Sequence, residues 1–165
     1  MPTPSHPAAP VSQDTVRQAT QQALQQYAGQ AGNLLPVLHA IQHALGYVPQ
    51  EAVPVLAAAL QLSRAEIHGV IGFYTHFRTE PAGRVVLEVC RAESCQAMGG
   101  DQLAEHAKQR LGCDFHATTS SGQVTLEPVY CLGLCAQSPA VMVDGQPYAR
   151  MTPAKLDQLL SAKGV

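Results

Sequence analysis

Four of the five cysteines in this 165-residue chain fall into two pairs, Cys90-x4-Cys95 and Cys131-x3-Cys135. Residues 96 to 130, 35 in all, lie between the pairs. Each pair begins where an apolar, β-branched run ends. Arg84 to Val89 leads into Cys90, and Val124 to Tyr130 leads into Cys131. Both runs read as strands. Two such strands in one sheet carry both loops to the same edge and bring four thiols together. Any fold for this chain has to allow that meeting.

Soft thiolates select iron–sulfur clusters, zinc or copper(I) over hard cations. A [2Fe–2S] cluster needs two thiolates on each iron, and two separated pairs supply them. Structural zinc usually takes tighter C-x2-C knuckles, and a ferredoxin-type [4Fe–4S] run clusters three cysteines at C-x2-C spacing. Neither pattern fits well here. A structural zinc site and redox-active or incidental thiols stand as alternatives. Dithiol oxidoreductases use C-x-x-C, with one thiolate stabilised by a helix N-terminus. The x4 spacing and the second pair count against that chemistry. Gly133, and Gly99-Gly100 after the first pair, let backbone N–H groups approach sulfur closely. Such hydrogen bonds tune a cluster's potential. Pro139 stiffens the exit of the second loop.

Around these loops the pattern changes at Pro81-Ala82-Gly83 from helical to strand-like. Before it, four helices are expected. Ser12 caps the first, with Val16, Ala19, Ala23 and Tyr27 on one face and Gly29 as its end. The second carries Leu34, Leu38, Ile41 and Leu45 and stops at Gly46. The third runs from about Gln50 to Leu60, with Pro54 near its start. The fourth opens with the capping box Ser63-Arg64-Ala65-Glu66 and buries Ile67, Val70 and Ile71. After the break, Arg84–Val89 is a strand, Gly100–Leu111 a helix ending at Gly112, and Val124–Tyr130 a strand. Val141–Val143 is a strand with Asp144-Gly145 as its hairpin turn, and Thr152-Pro153 starts a last helix. The chain therefore divides into a lead-in of residues 1–10, a helical bundle of 11–80 and an α/β domain of 84–165.

Composition narrows the function. The hydrophobic fraction of 46% is globular, and 12 acidic against 10 basic residues leave no footprint for nucleic acid or an anionic membrane surface. Leu60 to Tyr74 could pass for the second half of a helix-turn-helix. Up to Glu80, however, the basic residues are Arg17, Arg64 and Arg78, against Asp14, Glu51, Glu66 and Glu80, and a phosphate-reading face should be clearly basic. No run approaches the roughly 18 apolar residues of a membrane span. Met1 to Pro10 is Pro/Ala/Ser-rich, lacks the pattern of a secretory signal and is expected to be disordered. A cytoplasmic address follows as the expectation, and there clustered cysteines are more often metal-binding or catalytic than disulfide-bonded.

The stretch Cys90-Arg-Ala-Glu-Ser-Cys95-Gln-Ala-Met-Gly99, with Tyr130-Cys131-Leu-Gly-Leu-Cys135 and Pro139, resembles the thioredoxin-like [2Fe–2S] subunits of the complex I 24-kDa type. Gly72-Phe73-Tyr74-Thr75-His76-Phe77, Pro81-Ala82-Gly83 and the helical lead Leu34 to Val48 look like the same family. The likeness runs from about Leu34 to the C-terminus. Within the family, the first loop looks most like the gamma subunit of soluble NAD-dependent, molybdenum-containing formate dehydrogenases. Complex I and bidirectional hydrogenase relatives usually carry a Gly-Thr-Ala-Cys-like first loop. Ser94 replaces the commoner small residue before the second cysteine, a departure expected to have no consequence.

The resemblance implies an N-terminal helical bundle followed by a thioredoxin-like α/β domain, with a [2Fe–2S] cluster on Cys90, Cys95, Cys131 and Cys135. It implies docking against a flavin-bearing subunit that binds FMN and NAD, and a molybdenum-cofactor subunit that oxidises formate. The cluster would exchange single electrons with the flavin. Equivalent subunits serve bidirectional NAD-linked hydrogenases and NADH:quinone oxidoreductases. Nothing in the chain suggests catalysis on its own: it has no Gly-rich phosphate loop and no G-x-G-x-x-G fingerprint.

Other residues carry plainer readings. Cys113, after Gly112, reads as a small buried residue rather than a fifth ligand. His39 and His43 share a helix face at i, i+4 spacing but lack an evident third ligand. His68 and His76 read as packing or interface residues. Phe73, Tyr74 and Phe77 fit a core or a docking role equally well, and Arg91 and Glu93 read as solvated.

Overall fold

The computed structural model describes residues 11–165, and the lead-in of residues 1–10 lies outside the described residues. The described chain divides after Ala82 into two compact units, each with its own buried core.

The first unit is helical: α1 (Gln13–Gln26), α2 (Leu34–Leu45), α3 (Ala52–Leu60) and α4 (Arg64–Phe73). Caps set several of the ends. The Ser12 hydroxyl accepts from the Thr15 N–H, and Gly46 closes α2 in the left-handed conformation. At α4 both halves of the capping box form, with the Ser63 hydroxyl accepting from the Glu66 N–H and the Glu66 carboxylate accepting from the Ser63 N–H. Val37, Leu38, Ile41, Leu56 and Ile67 fill the core. The buried Gln42 amide holds the segment after α4: its nitrogen donates to the His76 carbonyl, and its oxygen accepts from the Arg78 N–H, both at 2.7 Å.

The second unit is a five-stranded mixed sheet with helices. Its strands are β1 (Val85–Cys90), β2 (Ala117–Thr118), β3 (Val124–Val129), β4 (Val141–Val143) and β5 (Gln146–Tyr148). The spatial order is β2-β3-β1-β4-β5. The central pair β1/β3 is parallel, in register from Val85↔Val124 to Cys90↔Val129, and the remaining pairs are antiparallel. Val85, Leu87 and Val89 alternate onto one face. They bury there with Leu126 against α6 (Gly100–Leu111) and α7 (Pro153–Ala162), through Leu103, Ala107, Leu156 and Leu160. Positive φ at both Asp144 and Gly145 turns β4 into β5. The Asp144 carboxylate accepts from the Val86 N–H and pairs with Lys163.

Two details differ from the expectation. A short helix, α5 (Glu93–Ala97), occupies the first cysteine loop, and a two-residue strand, β2, edges the sheet. Both are too short for hydrophobic periodicity to register. Among the described residues, no helix is long and apolar enough to cross a membrane.

Candidate functional site

Parallel pairing of β1 and β3 places Cys90 opposite Val129, so the chain leaves both strands at the same edge of the sheet. Cys90 is the last residue of β1, and Cys95 lies on α5, one turn into the loop. Cys131 follows β3 by two residues, and Cys135 opens a single 3-10 turn to Gln137. The strand ends thus carry both pairs to one place. Carboxyl ends of parallel strands are the usual site for ligands in open α/β sheets.

The two pairs differ in exposure. Cys90 and Cys95 are each 2% exposed and form a small core with Ala140, lined by Ala92, Val129, Leu132 and Leu134. Cys131 and Cys135 are exposed, with sulfurs 3.6 Å apart. All five cysteines are free thiols. Among the described residues no group of three or more His, Cys, Asp or Glu side chains could hold a single metal ion. The thiols are instead arranged two by two.

Burial and hydrogen bonding act on these thiols in different directions. Burial raises the pKa of the Cys90 thiol, but the N–H groups of Ala92, Cys131 and Leu132, with the Cys95 thiol, outweigh it and hold the pKa below the ordinary value. Cys95 moves the other way, because burial and the neighbouring Cys90 outweigh Ser138 and the Ala140 N–H. The Cys135 thiol is raised by its hydrogen bond and like charge with Cys131. The Gly133 N–H lies 3.4 Å from the Cys131 sulfur. Cys131 itself has φ of 94°, a left-handed conformation that non-glycine residues avoid, and such strain concentrates at functional sites. Four thiols in two pairs, with backbone donors aimed at them, are the donor set that a [2Fe–2S] cluster uses.

The family model for thioredoxin-like [2Fe–2S] ferredoxins matches residues 20–163. The chain belongs to the thioredoxin-like [2Fe–2S] ferredoxin family. Among curated relatives of this ferredoxin, the NADP-reducing hydrogenase subunit HndA of Solidesulfovibrio fructosivorans is 32% identical over 130 residues, covering 79% of this chain and 76% of the relative. An NADH-quinone oxidoreductase subunit of Pseudomonas aeruginosa is 29% identical and covers 92% of both chains. The same subunit from Mycobacterium tuberculosis is 34% identical, and the match spans 54% of its length. Among solved structures, an NAD+-reducing [NiFe]-hydrogenase in the H2-reduced state matches with a TM-score of 0.67 and 26% identity. That match covers 79% of this chain and 22% of the hydrogenase chain. The cofactor of this ferredoxin family is the [2Fe–2S] cluster, and the thiols described above are the residues of this chain that fit it.

Several side chains sit elsewhere than the sequence suggested. Ser94 is not idle: its hydroxyl lies 3.1 Å from the Cys135 carbonyl and 2.9 Å from the Ser138 hydroxyl, tying the two cysteine loops together. Nor is Arg91 solvated. It pairs with Asp101 at 3.1 Å and lies over the Phe115 ring. Both roles depend on residues distant in sequence, so local composition could not have shown them. Cys113 packs, partly buried, against the sheet core of the ferredoxin, and burial raises its thiol pKa. The His39 ring lies tilted against those of His76 and Phe77, with centroids 5.0 and 4.9 Å away. The aromatic segment divides, with Phe77 buried and Phe73 and Tyr74 exposed.

Proposed function

We propose that this chain is an electron-transfer subunit of a multi-subunit complex of the NADH-quinone oxidoreductase or NAD(P)-linked hydrogenase type. In this reading Cys90, Cys95, Cys131 and Cys135 hold the cluster, which exchanges single electrons with the FMN of a nicotinamide-binding partner subunit. The observation that carries it is the meeting of both cysteine loops at the ends of the parallel strands. The buried pair would anchor the cluster, and the exposed pair would bring it to the surface, where an electron carrier has to be. Two exposed apolar side chains flank these loops, Met98 at 62% and Tyr130 at 68% exposed. Large apolar groups at an open surface suit a partner contact.

A formate dehydrogenase is the second reading, with a molybdenum-containing subunit in the complex. It rests on Cys90-Arg-Ala-Glu-Ser-Cys95-Gln-Ala-Met-Gly99 alone. The relatives described above are named for hydrogenase and NADH-quinone oxidoreductase, which favours the first.

The test is to purify the native complex anaerobically through a tag on this chain, then add NADH, hydrogen or formate separately and record EPR spectra. A co-purifying flavin subunit and a [2Fe–2S] signal raised by NADH support the proposal. Reduction by hydrogen or by formate then selects the complex. Absence of any flavin partner contradicts it.

A further inference from the structure

The two cysteine loops are joined by a pair of hydroxyls that the cluster assignment does not use. Ser94 immediately precedes Cys95 on α5, and Ser138 lies three residues after Cys135. The Ser138 oxygen is 2.9 Å from the Ser94 oxygen, 2.9 Å from the Cys135 carbonyl and 3.6 Å from the Cys95 sulfur. Ser94 reaches the same carbonyl at 3.1 Å. One buried thiol, two hydroxyls and one carbonyl therefore share a small set of protons.

Counting those protons gives each serine a task. In the free thiol, Cys95 donates its proton to the Ser138 oxygen. A thiolate bound to iron has no proton left, so any hydrogen bond across that contact must run from the Ser138 hydroxyl to sulfur. Ser138 has a single proton and three acceptors in reach: the Cys135 carbonyl, the Ser94 oxygen and the Cys95 sulfur. The Ser94 hydroxyl can donate to the carbonyl itself, or to the Ser138 oxygen. When Ser94 supplies the carbonyl, the Ser138 proton is free to turn toward sulfur. Cys95 is 2% exposed, so little water competes for the bond or screens it.

We infer that Ser138 donates a hydrogen bond to the Cys95 sulfur of the loaded protein, that Ser94 keeps its proton available, and that together they raise the reduction potential of the cluster. This inference rests on the ligand assignment proposed above. Reduction adds one electron, with no bond made or broken and no proton transferred. The added negative charge is shared with the sulfur ligands, so an O–H dipole aimed at one of them stabilises the reduced form more than the oxidised form. Ser138 and Ser94 are positioning residues: neither is a ligand.

The test uses the full chain carrying its cluster, with iron and sulfide content measured first and a potentiometric titration followed by EPR second. Ser138→Ala should keep its iron and sulfide and titrate at a lower potential. Poised at the wild-type midpoint, its reduced-to-oxidised ratio should fall about tenfold, the scale of one hydrogen bond to a charged acceptor. Ser138→Thr, which retains the hydroxyl, should restore the wild-type potential. Ser94→Ala should shift it in the same direction by less. A loaded Ser138→Ala protein with unchanged potential overturns the inference while leaving the cluster assignment intact. Where Ser138→Ala fails to load, Ser94→Ala decides alone, and an unchanged potential there overturns it equally. A wild-type chain that takes up no iron and sulfide removes the ligand assignment and the inference with it.

Discussion

At the scale of single residues, the site depends on a few close approaches of backbone to sulfur. A Cβ built on Gly100 would stand 2.5 Å from the Cys95 carbonyl oxygen and 2.7 Å from its carbon. Neither is a flexible atom that could move away cheaply. Gly100→Ala must therefore push α6 or the first cysteine loop out of place, at a cost of about 1–3 kcal/mol. The expected result is a lower Tm together with a lower iron content per chain, read by calorimetry and a colorimetric iron assay. The two cysteine pairs could be picked out in the sequence because spacing and strand ends are local features. The hydroxyl pair Ser94–Ser138 could not, since its two members are 44 positions apart and only the fold brings them together. The same holds for Arg91, whose partners Asp101 and Phe115 belong to other segments.

At the scale of elements, each helix and strand with a strong periodic pattern or cap was legible. Only the pieces too short to show a period, α5 and β2, were not. The segment between α4 and the domain break carries a pH response that pattern could not show. Burial lowers the pKa of His76, and the neighbouring His39 and Arg78 lower it further. The unfolded chain binds a proton near the ordinary value of 6.5, and the folded chain does so only at lower pH. Stability linked to His76 is therefore fully present above pH 6.5 and is lost as pH falls from there toward the folded-state value. Thermal melts across that range should show the loss. In an NMR titration the His76 ring should protonate below 6.5, and His39→Ala should move it back toward 6.5. At α4 the sign is the same. Hydrogen bonds from the Ser63 backbone and hydroxyl lower the Glu66 pKa, so the cap is intact above 4.5 and weakens as acid protonates it. Glu66→Gln should flatten the dependence below that pH.

At the scale of the whole molecule, the helical core and the four cysteines proposed as ligands lie in different units. Leu38 is fully buried in the helical core, and Leu38→Ala should cost that unit about 2–5 kcal/mol. The line shape of the reduced cluster's EPR signal should not change, because the sulfur environment belongs to the other unit. Met98→Ser and Tyr130→Ser should act in reverse. They should leave Tm and the cluster signal unchanged and weaken binding to the flavin subunit, measured as the fraction of that subunit retained in pull-down of the complex. The α/β order and the cluster class could both be read from sequence. The kind of complex could not: the first cysteine loop pointed to formate dehydrogenase, whereas the relatives described above are named for hydrogenase and NADH-quinone oxidoreductase. A loop of ten residues reports on the cluster's surroundings more directly than on the enzyme that uses it.

The most direct test of the central claim, a one-electron carrier holding a [2Fe–2S] cluster on four cysteines, is iron and acid-labile sulfide analysis of anaerobically purified protein, with EPR after dithionite reduction. Two irons and two sulfides per chain are predicted, with a rhombic S = 1/2 signal that Cys131→Ala abolishes. Stoichiometric zinc, or a metal-free chain with Cys90 and Cys95 joined in a disulfide, would contradict it.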